Sequence, residues 1–451
     1  MMHELHNISP VDGRYAGITR PLQPFFSEYA LIRYRVIVEI EYFIALCQLP
    51  LPPLKDISAR DVEALREIAN GFSEEDAAEI KKIEKNTNHD IKAVEYFVKD
   101  RLAQASLGRY KEFVHFGLTS QDINNTALPL SLKEAMEAVV WPAFTVLHDH
   151  LARLSDELLH TPMLAHTHGQ PASPTTMGKE LRVFYERFKK QFRELKKLPY
   201  PAKFGGATGN FNAHHVAYPD IDWVEFADKF TASLGLSRSK ITTQIDHYDD
   251  LAALFDTLKR ICTILIDLDR DLWTYISMDY FKQKVSSGET GSSTMPHKVN
   301  PIDFENSEGN AGMAAALFEH LSAKLPVSRL QRDLTDSTVI RNTGLAVAHL
   351  LISVKACTRG LNKISINKEK INQDLENNPA VVAEAIQTVL RTLNYPEPYE
   401  ALKTLTRKNS IITKQDIEAF IDALNIAEED KNRLKQINPF NYTGIIPKKI
   451  Q

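Results

Sequence analysis

A glycine- and serine-rich segment stands out from the rest of the chain. Lys284–Pro301 reads KVSSGETGSSTMPHKVNP, although glycine supplies only 18 of the 451 residues. Gly288 and Gly291 allow backbone amides to turn toward an anion, and Lys298 adds a positive charge. Asn300-Pro301 is typical of a helix start, whose dipole is also positive. A serine in such surroundings loses its proton more easily than in water. The segment is therefore a candidate for a general base; the alternative is a solvated surface loop.

A second candidate is the run His166-Thr167-His168-Gly169-Gln170-Pro171. A histidine in a loop bounded by glycine and proline is a candidate general acid or base, because its pKa lies near neutrality. The His-x-His pair could bind a metal, but no carboxylate–histidine set with a recognised spacing lies beside it. We expect no catalytic metal here. The alternative is a histidine that only satisfies a hydrogen bond of the loop.

Polar clusters at expected helix starts form a third group. Thr119-Ser120-Gln121-Asp122 precedes a long apolar pattern and is followed by Asn124-Asn125-Thr126. Such residues cap helices, or they leave exposed donors that suit a carboxylate. Asn88-His89-Asp90 is ambiguous in the same way. Arg14-Tyr15 follows Asp12-Gly13 in an N-terminal loop and alone indicates little.

Composition excludes several classes of protein. The 58 acidic and 54 basic side chains give a net charge of −4, which offers no reason to expect a nucleic-acid binder. No GxxxxGK[ST] or GxGxxG motif occurs, so nucleoside-triphosphate and dinucleotide sites have no support. Cys47, Cys262 and Cys357 are too scattered for a disulfide framework or a zinc site. With no readable signal peptide and no long apolar run, we expect a soluble cytoplasmic protein without a membrane partner.

Apolar residues recur at three- and four-residue steps almost everywhere, which predicts an all-α fold. Three segments are long enough for a bundle of long helices: 120–159, 175–197 and 244–275. The last of these is apolar around much of its circumference, which indicates assembly through the bundle; a large monomeric bundle is the alternative. We predict an N-terminal helical domain (1–111), a central long-helix bundle (112–364) and a C-terminal helical domain (365–451).

These segments together resemble the fumarase/aspartase superfamily of lyases. GSSTMPHKVNP at 291–301 is similar to the superfamily's most specific motif, and Thr119-Ser120-x-Asp122 and Thr167-His168-Gly169-Gln170 are similar to its other two. The resemblance covers essentially the whole chain and implies three helical domains around a central bundle. Within the superfamily, the chain most resembles the branch that acts on succinylated purine nucleotides. The residues that carry this resemblance are Arg14-Tyr15, Asn88-His89-Asp90, Gln244 and Ser328–Ser337.

The resemblance implies a C–N lyase of purine nucleotide biosynthesis that releases fumarate by β-elimination. Two succinylated nucleotides are the expected substrates, one giving AMP and the other a carboxamide ribotide on the route to IMP. By motif position, Ser292 is the general base and His168 the general acid that protonates the leaving nitrogen. The choice of Ser292 over the similar pair Ser286-Ser287 rests on motif position alone, because the two pairs have similar composition.

The resemblance also implies a substrate-binding set, a homotetramer and no cofactor or metal. The substrate carries roughly four negative charges, so cations must gather locally in a chain of net charge −4. Each active site is expected to combine three subunits, with the glycine-rich segment closing over the substrate. The implied substrate-binding residues are Arg14, Tyr15, Asn88, His89, Asp90, Thr119, Ser120, Gln244, Ser293, Lys298, Val299, Asn300, Asn306, Arg332, Ser337 and Arg341.

Two other hypotheses compete with this one. A sister lyase or cycloisomerase of the superfamily would act on another succinyl-type substrate, but a substrate without phosphate would not need Arg14, Tyr15 and His89. A non-catalytic structural protein on the same scaffold would gain nothing from an intact set of Ser292 and His168.

Overall fold

The structure is a computed structural model that describes residues 6–284, 295, 299–406 and 412–450. Helix dominates these residues, and the all-α prediction is confirmed. The α-helices are α1 (Ala16–Thr19), α2 (Gln23–Phe26), α3 (Glu28–Cys47), α4 (Ala59–Asn70), α5 (Glu74–Thr87), α6 (Asp90–Gln104), α7 (Ser120–Ala135), α8 (Trp141–Glu157), α9 (Met177–Leu195), α10 (Asn212–Ala217), α11 (Trp223–Ser233), α12 (Asp249–Ser277), α13 (Ile302–Lys324), α14 (Thr335–Ile340), α15 (Thr343–Lys363), α16 (Lys368–Asn377), α17 (Ala383–Thr392), α18 (Pro398–Thr406), α19 (Lys414–Ala423) and α20 (Glu428–Lys435).

Short strands accompany the helices. Those in the described residues are β1 (Pro162–Thr167), β2 (Gln170–Thr176), β3 (Pro201–Ala202), β4 (Ser237–Arg238), β5 (Phe281–Gln283) and β6 (Ile364–Ile366). They form an antiparallel β1–β2 hairpin, a parallel β3–β4 pair and an antiparallel β5–β6 pair. No sheet in the described part of the chain exceeds two strands, so sheets position single segments and do not organise the fold.

The chain divides into two compact units. The first unit contains residues 1–144, 191–263 and 309–355, and the second contains 145–190, 264–308 and 356–451. The core of the first unit is built on α3, whose residues Val36, Val38, Ile40 and Phe43 are fully buried. A smaller core in the second unit joins α17 to α20 around Ile386, Leu390 and Ile421. The boundaries 1–111, 112–364 and 365–451 stay a prediction.

Local sequence signals set the helix ends of the first unit. Ser27 caps α3 by accepting the Ala30 amide. Ser58 and Asp61 form the expected reciprocal capping box at the start of α4, and Gly71 follows its last residue as the C-cap. The predicted helix over Asp90–Gln104 is observed as α6. These agreements are expected, since caps supply partners for amides that have none within the helix.

The three long helical segments are also observed, with different bounds. The segment predicted over 120–159 is α7 and α8, joined by a π-helical turn at Met136–Val140. Pro129 lies inside α7, and Pro142 directly follows the π-helical turn at the start of α8. Each proline removes one backbone donor from this continuous run of helix. The third segment begins at Asp249 and not at Gln244.

Among the residues that the structure describes, one stretch, Thr335–Lys363, is long and apolar enough to cross a membrane by length and composition alone. Its apolar window is 72% buried within the protein. Such burial is that of a core helix, since a helix that faces lipid exposes its apolar side chains.

Candidate functional site

The start of α7 presents the first predicted site residues. Thr119 precedes the helix, and its amide donates to Asp122 Oδ2 at 2.8 Å. Ser120 is the first helical residue and is half-buried. The first amides of a helix lack partners within it and lie at the positive end of its dipole. The contact between Thr119 and Asp122 is the one expected for a helix cap, and a carboxylate site at this helix start stays a prediction.

A fully buried ion pair ties this helix start to a glycine-rich loop. Asp122 Oδ1 lies 2.7 Å from Lys203 Nζ, and both side chains are 0% exposed. The same oxygen accepts the amides of Gly205 and Gly206 at 2.8 and 3.0 Å. Burial lowers the pKa of Lys203, and the nearby carboxylate of Asp122 works against that shift. Lys203 was not among the predicted site residues; a single lysine between Ala202 and Phe204 was its only signal in the sequence.

Lys203→Met should destabilise the protein by about 3–5 kcal/mol, because it leaves the Asp122 carboxylate buried without its cation. Urea unfolding followed by circular dichroism measures the change. Asp122→Asn/Lys203→Met should recover part of the loss, since it removes both charges. The control is Lys229→Met, which breaks an exposed pair with Glu225 and should cost under about 1 kcal/mol. A loss at position 203 no larger than this control would contradict the role of the pair.

A second charged cluster gathers around Asp90 at the start of α6. Asp90 Oδ2 lies 2.7 Å from Arg35 Nη2 and 3.1 Å from Arg341 Nη2. Partial burial works to raise the pKa of Asp90, but Arg35, the Ile91 amide and Arg341 outweigh it and hold that pKa below its usual range. Arg341 also lies 3.7 Å from Glu28. A bound phosphate would compete with these carboxylates for Arg341.

Arg35 was not among the predicted site residues. Its guanidinium is almost fully buried, and Nε donates to Asn124 Oδ1 of α7 at 2.9 Å. Burial lowers its pKa, while the Asp90 carboxylate opposes the shift. The sequence signal was a charged residue between Tyr34 and Val36, whose side chains are both buried.

His89 and Ser120, both predicted, face each other. His89 caps α6 with Nδ1, which accepts the Lys92 amide at 3.1 Å, and its Nε2 lies 3.5 Å from Ser120 Oγ. His89 is exposed, so Nε2 is accessible to a ligand. Asn88 ends α5 in the left-handed conformation at φ +50°, which asparagine tolerates better than most residues. Capping and ligand binding are thus compatible here.

Gln244 and Arg332, both predicted site residues, contact each other. Gln244 Oε1 accepts from Arg332 Nη1 at 3.4 Å, while its amide nitrogen donates to Ala207 O at 3.2 Å. Ala207 follows the glycine pair that binds Asp122. Gln244 therefore joins the arginine to the loop that supports the start of α7.

A cavity of about 100 Å³ in the first unit is bordered by two predicted residues, Ser337 and Arg341. Its apolar lining includes Phe25, Leu31 and Ile340. The rest of its polar lining includes Arg35, Gln121, Tyr248 and Asp336. Arg14 and Tyr15 lie in the turn before α1, where the Tyr15 amide donates to Pro10 O at 2.9 Å.

In the second unit, His168 lies at the tip of the β1–β2 hairpin. Thr167 pairs with Gln170, which leaves His168 and Gly169 as a two-residue turn with φ values of +53° and +74°. Two positive φ angles are characteristic of a type I′ turn. The sequence predicts a loop here and no hairpin, so the two strands are a difference from that prediction. The strands pack on α16 and the turn at Pro379–Val382, and His168 itself is exposed.

Both ends of the glycine-rich segment form hydrogen bonds within the second unit. Gln283, the last residue of β5, donates from Nε2 to Val299 O at 2.9 Å, and the Lys284 amide donates to Lys363 O at 2.7 Å. Asn300 is half-buried and precedes α13, as predicted, and Asn306 is half-buried within that helix. Ser292, Ser293 and Lys298 lie outside the described residues.

Comparisons with known proteins identify the family of this chain. A lyase family model matches residues 13–315, and an adenylosuccinate lyase C-terminal model matches residues 328–443. The adenylosuccinate lyase of Dictyostelium discoideum is 57% identical over 99% of this chain and 98% of its own length. That of Escherichia coli K12 is 46% identical over 98% and 97%. The chain belongs to the adenylosuccinate lyase family.

Adenylosuccinate lyases are C–N lyases, so membership makes this chain an enzyme and not a structural scaffold. Solved structures with the same fold include a fumarate lyase from Mesorhizobium (TM-score 0.74, 17% identity, 94% of each chain covered). A 3-carboxy-cis,cis-muconate lactonizing enzyme from Pseudomonas putida has a TM-score of 0.72 at 18% identity, covering 94% of this chain and 93% of its own. At these identities the likeness shows the fold alone.

Proposed function

We propose that the protein eliminates fumarate from adenylosuccinate, giving AMP, and from succinyl-aminoimidazole-carboxamide ribotide in purine synthesis. The observation that carries this proposal is 57% identity over 99% of the chain to an enzyme named adenylosuccinate lyase. Ser292 is the general base and His168 the general acid. Neither a metal nor an organic cofactor takes part.

The chemistry explains why these groups are needed. Removing a proton next to a carboxylate pushes negative charge onto oxygens that are already anionic, so nearby cations and N–H donors must stabilise the transition state. Lys298, Asn300 and the amides of the glycine-rich segment are the proposed donors. The start of α7, with Thr119 and Ser120, is proposed to hold a second carboxylate. Support comes from the rigid attachment of that helix start through Asp122 and Lys203.

The phosphate is proposed to bind among Arg14, Tyr15, His89, Ser337 and Arg341. Arginine suits a phosphate because its planar guanidinium donates two parallel hydrogen bonds. Arg341 is exposed, and its contacts with Asp90 and Glu28 are at 3.1 and 3.7 Å. These contacts are exchangeable, so a phosphate of nearly two negative charges can replace them.

We also propose a cytoplasmic homotetramer whose sites combine residues of three subunits. Support for assembly comes from exposed apolar side chains on four long helices: Val146, Val183, Trp273 and Met313. Large exposed apolar residues on a helix favour burial against another chain. Support for the cytoplasm comes from the cysteines Cys47, Cys262 and Cys357, which are all free thiols.

The purified protein should convert adenylosuccinate to AMP and fumarate, followed by ultraviolet absorbance and by chromatography of the products. Succinyladenosine, which lacks only the phosphate, is the matched comparison. It should be cleaved with a kcat/KM at least about 100-fold lower, since several charge-assisted hydrogen bonds are lost. Absence of AMP would reject the proposed function. Equal cleavage of both compounds would instead reject the phosphate site.

A further inference from the structure

A buried hydrogen-bond network in the first unit joins three of the segments that carry proposed substrate residues. Asn125 of α7 donates from Nδ2 to Tyr248 Oη at 2.6 Å, and Tyr248 Oη lies 2.8 Å from Asp336 Oδ2. Their exposed fractions are 3%, 2% and 4%, respectively. Ser120, Gln244 and Ser337 lie one to five residues away from these three in sequence. The network therefore connects segments that the chain order keeps far apart.

The direction of each hydrogen bond in this network is determined. Asn125 Oδ1 accepts the Asp246 amide at 3.0 Å, so its amide nitrogen faces Tyr248 and can only donate. The Tyr248 hydroxyl has one proton, which must then go to Asp336. Burial and the Asp336 carboxylate raise the pKa of Tyr248 well above its usual value, so the hydroxyl keeps that proton.

The backbone around Tyr248 is held in an unfavourable conformation. Tyr248 has φ +62°, which is uncommon for a residue with a bulky side chain. Its amide donates to Asp246 Oδ2 at 3.2 Å, and the other carboxylate oxygen of Asp246 accepts from Ser239 at 2.6 Å. Such conformations persist only where surrounding contacts fix them. Here the result is a hydroxyl aimed at Asp336.

Asp336 contacts Ser337, which is a proposed phosphate ligand. Gln121 Nε2 donates to Asp336 Oδ2 at 3.4 Å and to Ser337 Oγ at 3.3 Å, and Ser337 Oγ lies 3.4 Å from Asp336 Oδ1. The hydroxyl of Ser337 is therefore oriented by two groups, one of which Tyr248 holds in place. All four side chains border the cavity that Arg341 also lines.

We propose that Tyr248 is a positioning residue: its hydroxyl fixes Asp336, and through it Ser337, for the phosphate end of the nucleotide. This inference rests on the proposed function, which assigns Ser337 to the substrate. Tyr248 does not touch the reacting atoms. Its loss should weaken binding of the nucleotide and leave the elimination step unchanged.

The test compares Tyr248→Phe with the matched control Tyr29→Phe. Tyr29 donates to Phe72 O at 2.8 Å, outside the lining of the cavity. Tyr248→Phe should raise the KM for adenylosuccinate and the inhibition constant of AMP about tenfold, the usual weight of one hydrogen bond to a charged group. Its kcat and the inhibition constant of fumarate should stay within about twofold. Tyr29→Phe should change none of these quantities. Asp336→Asn serves as a second variant and should give the same division.

Two further variants, Ser337→Ala and the double variant Tyr248→Phe/Ser337→Ala, distinguish failure of this inference from failure of the proposed function. If Tyr248 acts through Ser337, the double variant binds AMP no more weakly than Ser337→Ala alone. Effects that add, or an equal fall in kcat, would overturn the positioning role. If Ser337→Ala raises the KM for adenylosuccinate but Tyr248→Phe leaves it unchanged, this inference is overturned and the proposed function still stands. No effect of Ser337→Ala would remove Ser337 from the proposed site and the inference with it.

Discussion

Ser292→Ala should lower kcat by about 10²–10⁴-fold, the range that general acid–base groups contribute. The substrate should still bind, because the carboxylates and phosphate are held by other residues. The KM should therefore change far less than kcat, which is the pattern of a group needed only in the transition state. Steady-state kinetics and equilibrium binding of adenylosuccinate to the inactive variant measure the two effects separately.

The control for this variant is Ser287→Ala in the same segment. Ser286-Ser287 has the same local composition as Ser292-Ser293, so a general effect of losing a hydroxyl there would appear in both variants. Full activity of Ser287→Ala beside an inactive Ser292→Ala would assign the base. Unchanged turnover in Ser292→Ala would transfer the role to another residue.

His168→Ala should also lower kcat by about 10²–10⁴-fold, because the leaving nitrogen would depart without a proton donor. His166→Ala is the matched control. His166 lies in the same hairpin, also exposed, with its ring 6.5 Å from that of Tyr280. Steady-state turnover of both variants tests the assignment. Comparable losses in the two would point to damage of the hairpin and not to loss of an acid.

Mixing the two inactive variants tests whether sites are shared between subunits. If Ser292 and His168 of one site come from different chains, random exchange restores up to about one quarter of the sites. The mixture is refolded together from urea, and each variant refolded alone is the control. No recovery despite exchange shown by mass spectrometry would reject shared sites.

Most helices of this fold can be predicted from sequence because their signals are local. Apolar spacing and the caps at Ser27, Ser58 and Gly71 determine α3 and α4 without reference to the rest of the chain. The hairpin of β1 and β2 was missed for an equally physical reason. Its turn is His168-Gly169 and not Asn-Gly or Asp-Gly, and its strands contain three prolines, which normally argue against a strand.

The candidate site shows the same difference between local and long-range sequence signals. Motif residues such as Asp90, Ser120 and Ser337 could be selected in advance, and the structure brings His89 to Ser120 and Arg341 to Asp90. The residues that hold them could not be selected, because their partners are distant in sequence. Lys203 meets Asp122 across 81 positions, and Tyr248 meets Asp336 across 88. Only the fold reveals such pairs.

The buried pair of Asp122 and Lys203 also constrains how this protein can evolve. A change of either residue alone would leave the charge of the other buried and unpaired. Evolution from this pair to an uncharged one would therefore pass through a less stable single variant. We therefore expect the two positions to be inherited as a unit. Related sequences that lack one of them should lack both.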